Sequence, residues 1–134
     1  MDNFSIISYI DEEKISSVKK LLEIHKYKIF TINGINIVDL ETFFKEIKNI
    51  LPQDPILSGR VNLDALMDSL WGGFDNLGEE KVAIVWRSAN NIINNNINQF
   101  LVIMDCFKEL SYSLATTEYG LDKPILLKIF IIKK

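Results

Sequence analysis

Val82-Ala83-Ile84-Val85-Trp86 is an unbroken run of five apolar residues. A strand with one wet face alternates apolar with polar side chains, whereas a strand covered on both faces has no reason to. The run is short for a helix and rich in β-branched residues, so it reads as a buried strand. Its counterpart is Ile125-Leu126-Leu127-Lys128-Ile129-Phe130-Ile131-Ile132, interrupted by one lysine. A third strand, Tyr27-Lys28-Ile29-Phe30-Thr31-Ile32, stops at the turn signal Asn33-Gly34. Near-continuous apolar strands of this kind belong to parallel sheets, whose connections are helices.

Apolar spacing of three and four residues fills the gaps with helices. Over 11–26 it is carried by Ile15, Val18, Leu21, Leu22 and Ile24. Asp39 is placed to cap a helix with Leu40, Phe43, Phe44, Ile47 and Ile50 on one face, stopped by Pro52 and Pro55. Asn62 opens another, running through Leu70 and closed by Gly72-Gly73. The Asn-rich stretch 90–98 is interleaved with Ile92, Ile93 and Ile97. It reads as a loop and helix start, not as a prion-like tract. A long helix follows, with Ile97, Phe100, Leu101, Met104, Phe107, Ser111 and Leu114 inward. Asn98, Asp105, Lys108, Glu109 and Tyr112 face outward. The alternation predicts an α/β fold, a three-stranded parallel sheet covered by helices with right-handed crossovers. Residues 1–26 read as an N-terminal helical extension packed on the domain formed by 27–134.

The chain has 134 residues, 48% of them hydrophobic and 25% charged, which suits one globular domain. One Cys excludes an internal disulfide, and one Cys with one His excludes a zinc site built from several of either. The net charge of −3 argues against a nucleic-acid surface. No apolar run approaches the ~20 residues that span a bilayer. The start, Met1-Asp2-Asn3-Phe4 with Asp11, Glu12 and Glu13 behind it, lacks the basic and apolar regions of a secretory signal. With the unpaired Cys106, this predicts a cytoplasmic protein. No cofactor motif is present, because Gly72-Gly73 follows a helix where a phosphate loop would open one. Cys106 lies in an apolar helix and His25 in a basic run beside a strand, so neither reads as catalytic. The chain is not expected to be an enzyme.

Charge is unevenly placed. Residues 54–80 hold Asp54, Asp64, Asp68, Asp75, Glu79 and Glu80 against Arg60, a net −5, so the remainder sums to +2. Asp64 and Asp68, four apart, project from one helix face. Like charges at that spacing are mildly destabilising, which points to docking against a basic surface. A solvated helix face is the plainer reading of charge alone.

Asn62-Leu63-Asp64-Ala65-Leu66-Met67-Asp68-Ser69-Leu70 resembles the NLDALxDxL helix of the barstar family, intracellular protein inhibitors of bacterial ribonucleases. The surroundings agree in order. Ile32-Asn33-Gly34 resembles the first strand and turn, and Leu51-Pro52 and Gly59 precede the motif. Gly72 follows it, Trp86-Arg87 ends the second strand, and Cys106-Phe107-Lys108-Glu109 resembles the last helix. The likeness runs from about 27 to 132. It implies the same three-stranded α/β fold, and a monomer that plugs the basic active site of a secreted ribonuclease toxin with an acidic helix and loop. By position, Asp64 and Asp68 match the inhibitory acids and Glu109 an acid of the last helix. Met67, Leu57 and Gly59 complete the implied partner surface, Gly59 by allowing close approach of the loop. Asn62 matches an N-cap, and Leu66 and Trp86 match core positions. The chain also departs from the family. Pro55-Ile56-Leu57-Ser58 stands where the family has aromatic residues, Met67 replaces an aromatic, Arg60-Val61 is one residue longer, and Ser113 replaces an acid. Aromatic anchors carry much interface energy. A regulatory binding module for a different basic partner is therefore the alternative reading.

Overall fold

The computed structural model describes residues 6–133. Met1-Asp2-Asn3-Phe4, on which the reading of the leader rests, lies outside the described residues. The elements are β1 (Ile7–Asp11), α1 (Ile15–Ile24), β2 (Lys28–Asn33), α2 (Leu40–Ile47), α3 (Leu63–Leu77), β3 (Lys81–Arg87), α4 (Asn90–Asn95), α5 (Ile97–Leu114) and β4 (Leu126–Lys133). Short 3-10 turns occupy Glu12–Lys14 and Gly34–Asn36. Among the described residues no helix is long and apolar enough to cross a membrane.

The sheet has four strands, not the expected three, in the order β1-β4-β3-β2, every neighbouring pair parallel. The extra strand lies in the segment read as purely helical. The helix proper is also shorter than 11–26, because Asp11 ends β1 and the 3-10 turn intervenes. The alternation in Ile7-Ser8-Tyr9-Ile10 is too brief to register as a pattern in the sequence. What makes it a strand is β4, whose outer edge offers a row of unpaired N–H and C=O groups. Ile7 then pairs with Ile129 and enters the core. The exposed pair Arg87 Nη2–Glu12 Oε1, at 3.0 Å, ties the turn after β1 to the end of β3.

The central strand behaves as its sequence demands. Val82, Ala83, Ile84, Val85 and Trp86 are each at most 1% exposed. One face of the sheet, with Ile32, Val82, Ile84, Trp86, Leu127, Ile129 and Ile131, packs against α2, α3, α4 and α5. Trp86 stacks on Phe43 at 5.2 Å between ring centroids and meets Phe100 edge-on at 5.7 Å. The other face, with Ala83, Val85 and Ile132, is covered by α1 through Leu22, Ile15 and Val18.

Asp39 caps α2 as expected. Its carboxylate accepts from Thr42 N at 2.9 Å, and Thr42 Oγ1 accepts from Asp39 N at 3.1 Å. The hydrogen bonds from Thr42's backbone N–H and its hydroxyl hold the Asp39 carboxyl below its ordinary pKa. The helix ends at Ile47, before either proline, with Ile50 and Leu51 in the following turn.

α3 is longer than expected. It passes straight through Gly72-Gly73 and stops at Gly78, whose φ of 76° supplies the left-handed C-cap. Gly72 and Gly73 serve packing instead. A Cβ on Gly72 would overlap the Asp54 carbonyl oxygen, and one on Gly73 the Pro52 carbonyl. The two glycines let the 52–55 backbone lie directly on the helix.

The Asn-rich stretch forms α4, a helix of its own, and its side chains clamp neighbouring loops. Asn91 Nδ2 donates to Ile35 O at 2.7 Å and Asn96 Nδ2 to Val38 O at 3.0 Å. In α5 the buried stripe is Phe100, Ile103, Met104, Phe107, Leu110, Ser111 and Leu114. Ile97 and Leu101, expected inside, are nearly half exposed. α5 meets α3 on one side and α2 and α4 on another. Its stripe therefore widens to include Ile103 and Leu110 and leaves Ile97 and Leu101 outside.

Candidate functional site

The N-terminal half of α3 is fixed from three directions. Asn62 caps it, its side-chain oxygen accepting from Ala65 N at 3.0 Å. Leu66, Leu70 and Phe74 anchor its inner face, each at most 1% exposed. The 52–57 loop straps its flank. Asp54 N donates to Ser69 O at 2.9 Å, Ser69 Oγ donates to Pro55 O at 2.5 Å, and Asn76 Nδ2 donates to the Asp54 carboxylate. Gln53 stiffens the loop itself. Its Nε2 donates to Lys48 O at 2.9 Å and its Oε1 accepts from Leu57 N at 3.1 Å. Asp64 and Asp68 are left exposed on a helix whose backbone has little freedom.

α3 lies beside α5, and this contact brings in the third predicted acid. Met67, Asp68 and Trp71 from α3 line a depression of about 410 Å³ with Glu109 and Ser113 from α5 and Tyr119 from the following loop. Asp64 belongs to the same acidic field. Burial pushes the Cys106 thiol above its ordinary pKa, and the negative charges of Glu109, Asp105 and Asp64 push it further in the same direction. Glu109 shares the depression with Asp68, and its charge acts on Cys106 in the same direction as that of Asp64. Asp105 was read only as part of the helix's outer face, and its helical spacing from Glu109 already placed it on the same side.

Cys106 is held as a thiol at neutral pH. Native alkylation of Cys106 should run slower than that of an exposed peptide thiol. Glu109→Gln should accelerate it by removing one of the charges that disfavour the thiolate. Equal rates in the two proteins would place Glu109 away from the cluster.

The free chain shows how two of the expected partner residues are placed. Leu57 is only 7% exposed and belongs to the main core cluster, so it presents almost no surface. The residue before it, Ile56, is instead 79% exposed. Within the chain, nothing lies within 4 Å of where a Cβ on Gly59 would stand, so the loop makes no close approach to its own helix there. Glycine is needed there for a φ of 76°. Met67 is partly buried against the core and contributes to the depression. Trp71 and Tyr119 were missed. Trp71 stands three residues after Asp68 and four after Met67, so helical spacing already put it on their side, whereas Tyr119, in the loop after α5, gave no such signal.

Among the described residues, no three His, Cys, Asp or Glu side chains gather closely enough to hold a metal ion. The carboxylates are spread across two helices. Spread acids suit several separate cationic groups better than one small ion.

A family model described as Barstar (barnase inhibitor) matches residues 27–128. No curated protein and no solved structure matches the chain. The matched span holds β2 through α5, the first three residues of β4 and the whole acidic surface, and it leaves β1 and α1 outside.

Proposed function

The chain belongs to the barstar family, and from that premise we propose that it inhibits a bacterial ribonuclease by occluding the enzyme's basic active site. The observation that carries the reading is the depression that Asp68 and Glu109 share between α3 and α5, with Asp64 exposed one turn before Asp68 on the same helix. A ribonuclease gathers cationic side chains to hold the RNA backbone. Carboxylates occupying the phosphate positions form charge-assisted hydrogen bonds with those same groups. Because α3 is capped, anchored and strapped, little conformational freedom is lost on binding, which favours affinity. The proposed mechanism is steric and electrostatic and needs no chemistry from the inhibitor. An immunity protein of this kind acts in the cytoplasm of the cell that makes the toxin, before secretion.

The departures in the 55–58 loop favour a second reading, a different basic toxin or regulatory partner. Ile56 is the exposed apolar side chain where the family has aromatics. Both readings are tested by titrating a barnase-like ribonuclease with the protein at low and high salt. The expected result is stoichiometric inhibition, with an association rate that falls as salt screens the attraction. No inhibition at either ionic strength overturns the ribonuclease assignment in favour of the second reading.

A further inference from the structure

Just before the acids of α3 the charge reverses. α2 packs against α5 and against β2, the edge strand at the opposite side of the sheet from β1. α2 and the 59–61 turn enclose a groove of about 530 Å³. Lys45 and Lys48 line it from α2, Arg60 lines it from the turn, and Phe44 and Val61 add apolar atoms. Among the described residues Glu41 is the one carboxylate of the lining, so three cations leave the groove at a net +2. In a chain of net charge −3 that is a local inversion of sign.

The cations reach the groove for different reasons. Lys45 and Lys48 stand three apart at the end of α2, where the helix dipole favours positive charge. Lys45 also acts on Asp39, whose carboxyl is held low by Thr42's hydrogen bonds first and by this lysine in lesser measure. Arg60 has no helix end to serve. It is the single cation between 54 and 80, and the left-handed turn at Gly59 leads into it. All three side chains are exposed, and among the described residues none makes an ion pair within 4 Å.

The groove's length limits what it can hold. From Glu41 to Lys48 the helix rises about 10 Å, which an extended peptide covers in about three residues. A nucleic acid needs a longer basic stripe. Here the cations give way within four residues of Arg60 to Asp64, and then to Asp68.

We propose that this groove binds a short acidic peptide segment of a partner protein, its carboxylates on Lys45, Lys48 and Arg60 and its apolar atoms on Phe44 and Val61. Arg60 offers a planar fork that matches a carboxylate, and the apolar atoms supply area. The groove stands on α2 and the 59–61 turn, apart from the α3–α5 depression, so its occupancy does not depend on the ribonuclease reading.

The test is an amide NMR titration of the full chain with a capped tetraglutamate peptide, beside tetraglutamine, inorganic phosphate and tetrauridylate. The expected result is saturable shifts at Lys45, Lys48, Arg60 and Val61. Tetraglutamate should bind at least about tenfold tighter than tetraglutamine and weaken as salt rises. In Lys45→Gln/Lys48→Gln/Arg60→Gln its affinity should fall to the tetraglutamine level. Lys20→Gln on α1 should bind it as the parent does. Tetraglutamine or phosphate binding as tightly as tetraglutamate, shifts outside the groove, or no saturation overturns the proposal. Tetrauridylate binding more tightly overturns it in favour of a nucleic acid. A triple variant that keeps full tetraglutamate affinity overturns it too. The four-ligand comparison on the unmodified protein decides the matter if that variant does not fold.

Discussion

Asp68→Ala weakens the complex with a barnase-like ribonuclease by about 2–5 kcal/mol, or from about thirtyfold to several thousandfold, on the proposed reading. Asp68 lies in the depression between α3 and α5 with Glu109, where a bound basic surface loses its water. Truncation leaves the partner's cation buried without its carboxylate, and that penalty falls mainly on the dissociation rate. Stability of the free protein should move the other way. Asp68 is exposed, and its removal relieves the repulsion from Asp64 one turn earlier, a gain of about 0.2–0.5 kcal/mol. Affinity and stability of opposite sign identify a binding residue, because a structural residue would lose both. The measurement is dissociation kinetics with urea unfolding of the same samples, using Glu23→Ala on α1 as a distant control. A loss no greater than that of the control would remove Asp68 from the interface.

Gly73→Ala destabilises the fold by about 1–3 kcal/mol, although helix propensity taken alone predicts a gain of about 1 kcal/mol. The added methyl would overlap the Pro52 carbonyl, and the obstacle is backbone, which does not swing aside like a flexible side chain. Relief requires the 52–55 strap to lift, loosening the Asp54–Ser69 and Ser69–Pro55 hydrogen bonds. The same change should weaken ribonuclease binding through the loosened strap, without touching an acid. Gly78→Ala is the companion measurement. Nothing lies near its Cβ, and only its left-handed φ of 76° is strained, for about 1–2 kcal/mol. A stabilised Gly73→Ala in urea unfolding would show that the strap is not seated on α3.

The sequence could place what depends on short-range pattern. Val82 to Trp86 had to be buried on both faces because no polar residue interrupts the run. Asp39 and Asn62 had to be caps, since each stands just before an apolar stripe with the right donor following. Asp64 and Asp68 had to share a helix face, because 3.6 residues make a turn. The resemblance of 106–109 to the family's last helix added Glu109, which no local pattern linked to α3.

What remained needed partners distant in the chain. β1 is a strand because β4 has a free edge 122 positions further on at the paired Ile7 and Ile129, and an edge cannot be seen from inside a four-residue alternation. Gly72-Gly73 has the chemistry of a helix stop, and it is overruled because the 52–55 backbone needs the space that two side chains would take. The resemblance placed Leu57 on the partner surface, and in the free chain packing against the core draws it inside. Local sequence thus determined the helices, the central strand and which acids share a face. Tertiary packing decided how many strands the sheet holds, which glycines turn and which admit a neighbour, and that acids on two helices meet on one surface, because each of these depends on contacts between residues that the chain itself keeps far apart.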